Sequence, residues 1–446
     1  MLKKTTWLFI SLIMILSVML AACEPAATAV PTNAPVPTSV PATAAPTKPA
    51  ATAVPTTAPV ATSVPATTAP TKPAATPLTL GMLYVGPSND KGWSQAHFDA
   101  AQYVISKMPG TKLVFVDKAN TSDRPGTTGV QLAESLLAQG ANVIVFTSDD
   151  MKDDAITFAK KHTDIPVIFA SGDTVWKDGK AYQDLPNMVN IMGRMEYMKF
   201  LAGCSAALTT KTGQIGFLGP LINDETRRLA SSAFLGAQYC WTKYAGKNAA
   251  DLKFKVTWIG FWFNIPGMTS DPTQVSNDFF NGGYDVVISG IDTTEALVQA
   301  KKTTAAGKPV FAVSYDFANG CAEAPAVCLG VPYFNWGPLY VKYLTQIQNG
   351  TFKQAFEWAS PDWKNINSAD TSIVGFNKGQ GLAADASATL DKFTAELAGG
   401  LNLWKGPLSL QDGTAYLKDG EAATDIQIWY LPQLLKGMDG QSVPTK

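Results

Sequence analysis

The stretch that decides the fold runs from Leu78 to Met108: "LTLGMLYV" (Leu78–Val85), "GPSNDKGWSQAHFD" (Gly86–Asp99) and "AAQYVISKM" (Ala100–Met108). An apolar, β-rich run passes through a polar loop into a segment with helical spacing. A strand with so little polar alternation is one buried on both faces, which is the condition of a parallel sheet. The loop holds a tryptophan beside a carboxylate and a glutamine. Trp93 there is either a core residue or a flat surface against which something planar is held.

The same alternation recurs along the chain. Apolar runs at Thr79–Val85, Leu113–Val116, Val143–Phe146 and Val167–Phe169 form one series of expected strands. Ile215–Leu218, Val256–Ile259, Val286–Ser289 and Val310–Val313 form a second. Helical stretches such as "GVQLAESLLAQGA" and "TTEALVQAKKTTAAG" lie between them, the latter closing on a glycine suited to a C-cap. Two series of this kind predict two α/β lobes with parallel sheets.

In open parallel sheets, ligands bind beyond the carboxyl ends of the strands. The residues that follow the expected strands are Asn89, Asp90 and Trp93, then Thr147, Ser148 and Asp149. The second series supplies Asn223 and Asp224, then Phe261, Trp262 and Asn264, then Asp292, then Tyr315 and Asp316. Strand-end loops are usually polar and Asp-rich, which accounts for each Asp. It does not account for Trp93 and Trp262 at equivalent strand ends. Aromatic faces with carboxylates and amides are the composition of a cleft that grips a planar polar molecule. Trp93 is then placed to stack, with Asp90 and Gln95 reading hydrogen-bonding groups on the ligand's edge. Arg227 and Arg228, at an expected helix start, are assigned to a solvated face.

The N-terminus indicates where the protein works. Lys3 and Lys4 precede an apolar run, Trp7–Met19, and "LAAC" (Leu20–Cys23) follows. This is the layout of a secretory signal peptide (residues 1–22), and the run is short for a transmembrane helix. "LAAC" resembles a bacterial lipobox, which makes Cys23 the expected lipidation site. Residues 27–50 and 51–74 are two copies of one Pro/Ala/Thr-rich repeat that differ at three positions. Such composition cannot bury enough apolar area to offset its ordering entropy, so residues 23–77 are expected to be an extended tether. Its reach in polyproline II geometry is on the order of 160 Å.

Residues 78–446 are too many for one small domain. They are expected to form lobe 1 at about 78–196 plus a returning segment, and lobe 2 at about 197–318 plus C-terminal elements. With 35 Lys and Arg against 36 Asp and Glu, charge is balanced and no basic stripe offers itself to nucleic acid. Beyond Cys23, the cysteines are Cys204, Cys240, Cys321 and Cys328, which allow three disulfide pairings, with free buried thiols as the alternative. Cys321–Cys328 would close a small loop. Zinc spacing, a Gly-rich phosphate loop, a G-x-S-x-G elbow and an H-E-x-x-H motif are all absent from the sequence, so no cofactor, metal or catalytic residue is expected, and the expected form is a monomer.

"YVGPSNDKGWSQAHFDAA" resembles the opening of basic membrane protein (BMP) family substrate-binding lipoproteins, a group that includes purine-nucleoside receptors. "GRMEYMKFLAGCSAALTTKTGQIGFLGP", "FNWGPLYVKYLTQIQNGTF" and "LNLWKGPLSLQDGTAYLKDGE" are similar to later segments of that family, in order. The resemblance spans nearly all of Thr79–Glu421. It implies a bilobal type I periplasmic-binding-protein fold and delivery of a small solute, often a purine base or nucleoside, to an ABC permease. It also implies that Trp93 stacks on the base and that Asp292 and Asp316 line the cleft. The loop "FANGCAEAPAVC" (Phe317–Cys328) departs from the family, which has a shorter polar turn there. A sugar-binding lipoprotein, a ligand sensor and, more remotely, a nucleoside hydrolase using Asp90 and Asp292 are the alternatives.

Overall fold

The structure is a computed structural model and describes residues 77–444. The signal peptide, Cys23 and all of the tether but its last residue, Pro77, lie outside the described residues.

The first sheet opens with β1 (Thr79–Leu83), followed by β2 (Lys112–Val116), β3 (Val143–Phe146), β4 (Val167–Ala170) and β5 (Met188–Gly193). A late strand, β11 (Ala355–Ala359), joins its edge, giving the order β11-β5-β4-β3-β1-β2 with every pair parallel. The helices of this lobe are α1 (Trp93–Lys107), α2 (Gly129–Ala138) and α3 (Lys152–Lys161). Thr128 starts α2 with a reciprocal capping box to Gln131.

The second sheet contains β6 (Gln214–Gly219), β7 (Lys253–Trp258), β8 (Val286–Ser289), β9 (Phe311–Val313), β10 (Cys328–Phe334), β12 (Val374–Lys378) and β15 (Met438–Asp439). Its order is β12-β10-β9-β8-β6-β7-β15, parallel except for β10–β12. Its helices are α4 (Met195–Thr209), α5 (Asp224–Lys243), α6 (Pro272–Asn281), α7 (Glu295–Ala305), α8 (Gly337–Gln348) and α9 (Ala384–Ala398), although α8 packs back against α1 through Gly337 and Tyr103. A short α10 (Asp425–Trp429) follows a two-stranded ribbon of β13 (Leu408–Ser409) and β14 (Ala415–Leu417).

All eight strands expected from the sequence are present, Val143–Phe146 and Val286–Ser289 with the expected bounds and the others with ends shifted by at most three residues. Strands β5, β10, β11, β12 and β15 carry no comparably clear apolar run bounded by turn signals. The chain crosses between the sheets three times: after β5 at Arg194, after β10 at Asn335 and Trp336, and between β11 and β12. Three crossings divide each sheet between separate stretches of sequence, as a bilobal type I binding-protein fold requires.

Helices α4 and α5 approach closely because both carry a glycine at the contact. A Cβ on Gly203 would come within 1.8 Å of the Ala233 carbonyl oxygen, and one on Gly236 within 2.1 Å of that of Phe200. A disulfide joins Cys204 to Cys240 across the same contact, and a second joins Cys321 to Cys328.

Candidate functional site

The carboxyl ends of the two sheets face each other. Gly92, in the loop after β1, packs so tightly on the loop after β8 that a Cβ would lie 1.6 Å from the Asp292 carbonyl oxygen. Lys91 also reaches across, pairing at 2.5 Å with Glu323 of the disulfide-bounded loop.

Beneath this contact lies a narrow slot of about 280 Å³, mouth included. Trp93, Trp262 and Tyr315 supply its aromatic walls, and Asp149, Glu225 and Asp292 its carboxylates, with Ser148 and Ser171 between them. The first lobe contributes Trp93, Ser148, Asp149 and Ser171, and the second contributes the rest. Two further spaces adjoin it at Glu225: one of about 400 Å³ bounded by Lys152, Asp173 and Arg228, the other of about 230 Å³ bounded by Lys199 and Phe217.

Trp93 is packed and also lines the slot. It begins α1, is 7% exposed, and donates through Nε1 to the Thr147 carbonyl at 2.6 Å. Phe334 and Trp336 meet it edge to face, with ring centres at 5.2 and 5.4 Å.

Several expected contact residues are committed elsewhere. Asp90 accepts from the backbone N–H groups of Gly92, Ser94 and Gln95, so its carboxylate organises the first turn of α1. The Gln95 amide donates to Asp99 one turn on, and the Thr147 hydroxyl donates to the Leu83 carbonyl. None of these three lines the slot. The local geometry explains why: a carboxylate just ahead of a helix is the nearest acceptor for that helix's free N–H groups. Asn223 likewise caps α5 and Asn264 bonds Thr269. Asp316 lies behind the slot, fully buried, at a left-handed φ of 66°, and neither carboxylate oxygen has a hydrogen-bond partner.

Arg228 corrects the solvated-face assignment. It is 1% exposed and donates from Nε to Glu196 at 2.7 Å, while its guanidinium lies 4.2 Å from the Trp429 ring centre. Arg227 is half-buried and donates to the Leu431 carbonyl and to Asp224. Both side chains meet C-terminal segments distant in sequence, which no local pattern at the start of α5 announces.

Lys199, Glu225 and Ser171 also escaped the sequence reading. Lys199 is the one charge amid the apolar stretch "MKFLAGCSAAL" of α4. It is buried, donates to the Ser289 carbonyl and lies 3.1 Å from the Tyr315 ring centre. Burial draws its ammonium down to about 7, against the pull of Asp316 and Glu225. Burial likewise pushes the Glu225 carboxyl up to about 7, partly offset by Arg228. Burial and then their neighbouring acids raise Asp292 and Asp316, although Lys199 opposes the shift of Asp316. Asp149 is raised by burial too. Burial thus acts in one direction on Asp149, Glu225 and Asp292, the three carboxyl groups that line the slot.

This architecture, with a cleft between the carboxyl ends of two sheets, is the type I periplasmic-binding-protein fold. The described residues superpose with a TM-score of 0.55 on an ABC-transporter solute-binding protein from Aeropyrum pernix K1, 13% identical, over 75% of this chain and 93% of that one. A family profile described as "ABC transporter substrate-binding protein PnrA-like" matches residues 78–358, and the chain belongs to this Bmp family. It is 25% identical over 363 residues to a purine-binding protein of Brucella abortus, covering 81% of this chain and 93% of that one. It is also 23% identical over 276 residues to a putative ABC transporter glucose-binding protein of Haloferax volcanii, covering 62% of each. The protein is thus an extracytoplasmic substrate-binding component of an ABC transporter, with a small-molecule ligand and a permease as partners.

Proposed function

We propose that the slot captures a purine base or nucleoside and that closure of the two lobes over it presents the solute to the permease. The observation that carries this reading is the pairing of three aromatic walls, Trp93, Trp262 and Tyr315, with the carboxylates of Asp149, Glu225 and Asp292. Aromatic faces suit a flat base, and the carboxylates accept from its amino and ring N–H groups or from ribose hydroxyls. The purine-binding relative supports the same class. A surplus of buried acids opposes a phosphorylated ligand, so nucleosides should be preferred to nucleotides. Gln95, Thr147 and Asp90 support the site from behind, and Asp316 acts on it through its field or by moving when the lobes open.

Lipidation at Cys23 would hold the protein at the membrane, with residues 23–77 as tether and 78–446 as binding domain. Calorimetry with adenine, guanosine, inosine, ribose and glucose tests the ligand. At least one purine should bind in the micromolar range or tighter. Tight binding of a sugar with no heat from any purine would overturn the assignment.

A further inference from the structure

The chain that leaves α10 is tied to both lobes within two consecutive residues. Tyr430 donates its hydroxyl proton to Asp173, accepts from the Lys180 backbone N–H at 2.9 Å, and stacks on Trp176 with ring centres 5.9 Å apart. All three partners stand on the stretch between β4 and β5, in the first lobe. The next residue, Leu431, accepts at its carbonyl from Arg227 Nε of α5 at 2.7 Å, in the second lobe.

Trp429, at the end of α10, makes the same bridge with its side chain. It meets Trp176, Phe356 and Trp358 of the first lobe edge to face, with ring centres at 5.6, 5.2 and 4.9 Å. The Arg228 guanidinium of α5 lies 4.2 Å from its ring centre on the other side. Both flanks of this stretch are fixed. Asp425 takes both hydrogen bonds of Arg194 at the first crossing, while β15 pairs with β7 and Trp258 Nε1 donates to the Gln441 carbonyl in the second lobe. A rotation of the lobes about their crossings therefore pulls directly on Trp429–Leu431.

The same stretch borders the ligand space. Trp429 and Asp173 line the space of about 400 Å³ that shares Asp149, Ser171 and Glu225 with the slot. Asp173 is buried, and its other side-chain partner, Lys152, stands at 3.5 Å. A buried carboxylate that loses its hydroxyl donor pays the cost of desolvation, so the Tyr430–Asp173 bond opposes separation of the lobes.

We propose that Trp429–Leu431 is a clasp between the lobes and that Tyr430 is its positioning residue, favouring the closed form through Asp173. The proposal rests on the lobe closure described above and not on the identity of the solute.

Spin labels on Ser122→Cys, in the loop after β2, and Ser270→Cys, in the loop after β7, report lobe separation at the rim of the cleft; both residues are exposed. In the full chain with Cys23→Ala, the other four native cysteines are held in disulfides, so only the two introduced thiols take label. Without ligand, Tyr430→Phe keeps the ring and removes the donor. It should raise the ratio of open to closed distances in pulsed-EPR measurements at least about fivefold. Asp173→Ala should do the same, and the double variant should go no further than either alone. Thermal melts run alongside; where Tyr430→Phe does not melt cooperatively, Asp173→Ala decides. Unchanged distances in a folded variant, even one that melts lower, overturn the proposal and leave Tyr430 a purely structural role. An additive double variant overturns it too, since the two residues would then act apart. Purine binding is tested separately by calorimetry, so its failure would leave this result intact.

Discussion

The indole of Trp93 is pinned by Thr147 and held edge-on by Phe334 and Trp336, yet it still walls the slot. Its truncation should therefore show in two measurements. Trp93→Ala should lower unfolding free energy by about 3–5 kcal/mol, as for other buried Trp truncations. It should also weaken ligand binding about ten- to a hundredfold, from the loss of a 1–3 kcal/mol stack. Thermal melts and calorimetry separate the two, and unchanged affinity in a folded variant would return Trp93 to a purely core role. Glu225 and Lys199 make a second prediction at this scale. A carboxyl raised to about 7 in the fold binds its proton more tightly than in the unfolded chain, so its contribution is complete at acid pH and lost as pH climbs from 4.5 towards 7. Lys199, lowered to about 7, has the opposite sign: stability is gained between 7 and its ordinary 10.5. Denaturant titrations in the absence of ligand should show the acid limb flattened in Glu225→Gln and the alkaline limb flattened in Lys199→Met. The first should remove roughly 3 kcal/mol of pH dependence and the second roughly 5 kcal/mol.

The elements of this fold are joined most closely at α4 and α5, where Gly203 and Gly236 let the backbones meet and Cys204–Cys240 fastens them. That disulfide closes a sequence separation of 36 residues, for which the chain-entropy relation gives about 3–4 kcal/mol. The Cys204→Ala/Cys240→Ala double variant should lose about that much in a urea titration, with the slope unchanged. Loss near zero would mean that the glycine contact alone holds the helices. The starts of two helices are written locally, although in the sequence Asn223 reads as a cleft residue and not as a cap. The "TTG" before α2 and "IND" before α5 carry their caps locally, because capping needs only neighbours three residues away. Strands β5 and β11 were not legible, since an edge position filled by a returning segment depends on pairing across more than a hundred residues.

At the scale of the whole molecule, the lipidation proposed for Cys23 would hold the binding domain at a membrane. Cys23→Ala should leave the precursor uncleaved or release the protein from membranes, as followed by fractionation and lipid labelling. A variant that stays membrane-bound and lipid-labelled would remove Cys23 from that role. Closure is the other global property. Lys91–Glu323 and the Gly92–Asp292 contact both span the cleft, and the ion pair is exposed enough to contribute at most about 1 kcal/mol. Glu323→Gln should accordingly reduce ligand affinity by no more than about fivefold in calorimetry. A larger loss would show that the disulfide-bounded loop contacts the ligand itself.

Periodicity determined the two α/β series, because a strand buried on both faces must read as a continuous apolar run wherever it lies in the fold. The position of a cleft beyond the carboxyl ends of parallel strands is equally local to the sequence, and it gathers Trp93, Ser148, Trp262, Asp292 and Tyr315. Tertiary structure alone decided which strand-end groups remain free to face a ligand. Asp90, Gln95 and Thr147 are spent on nearby helix and strand groups, while Lys199 and Glu225 enter from helices whose sequence reads as ordinary core and helix start. A hydrogen-bonding side chain takes the partner that is closest in space, and for these residues that choice depends on how the two sheets and their helices meet.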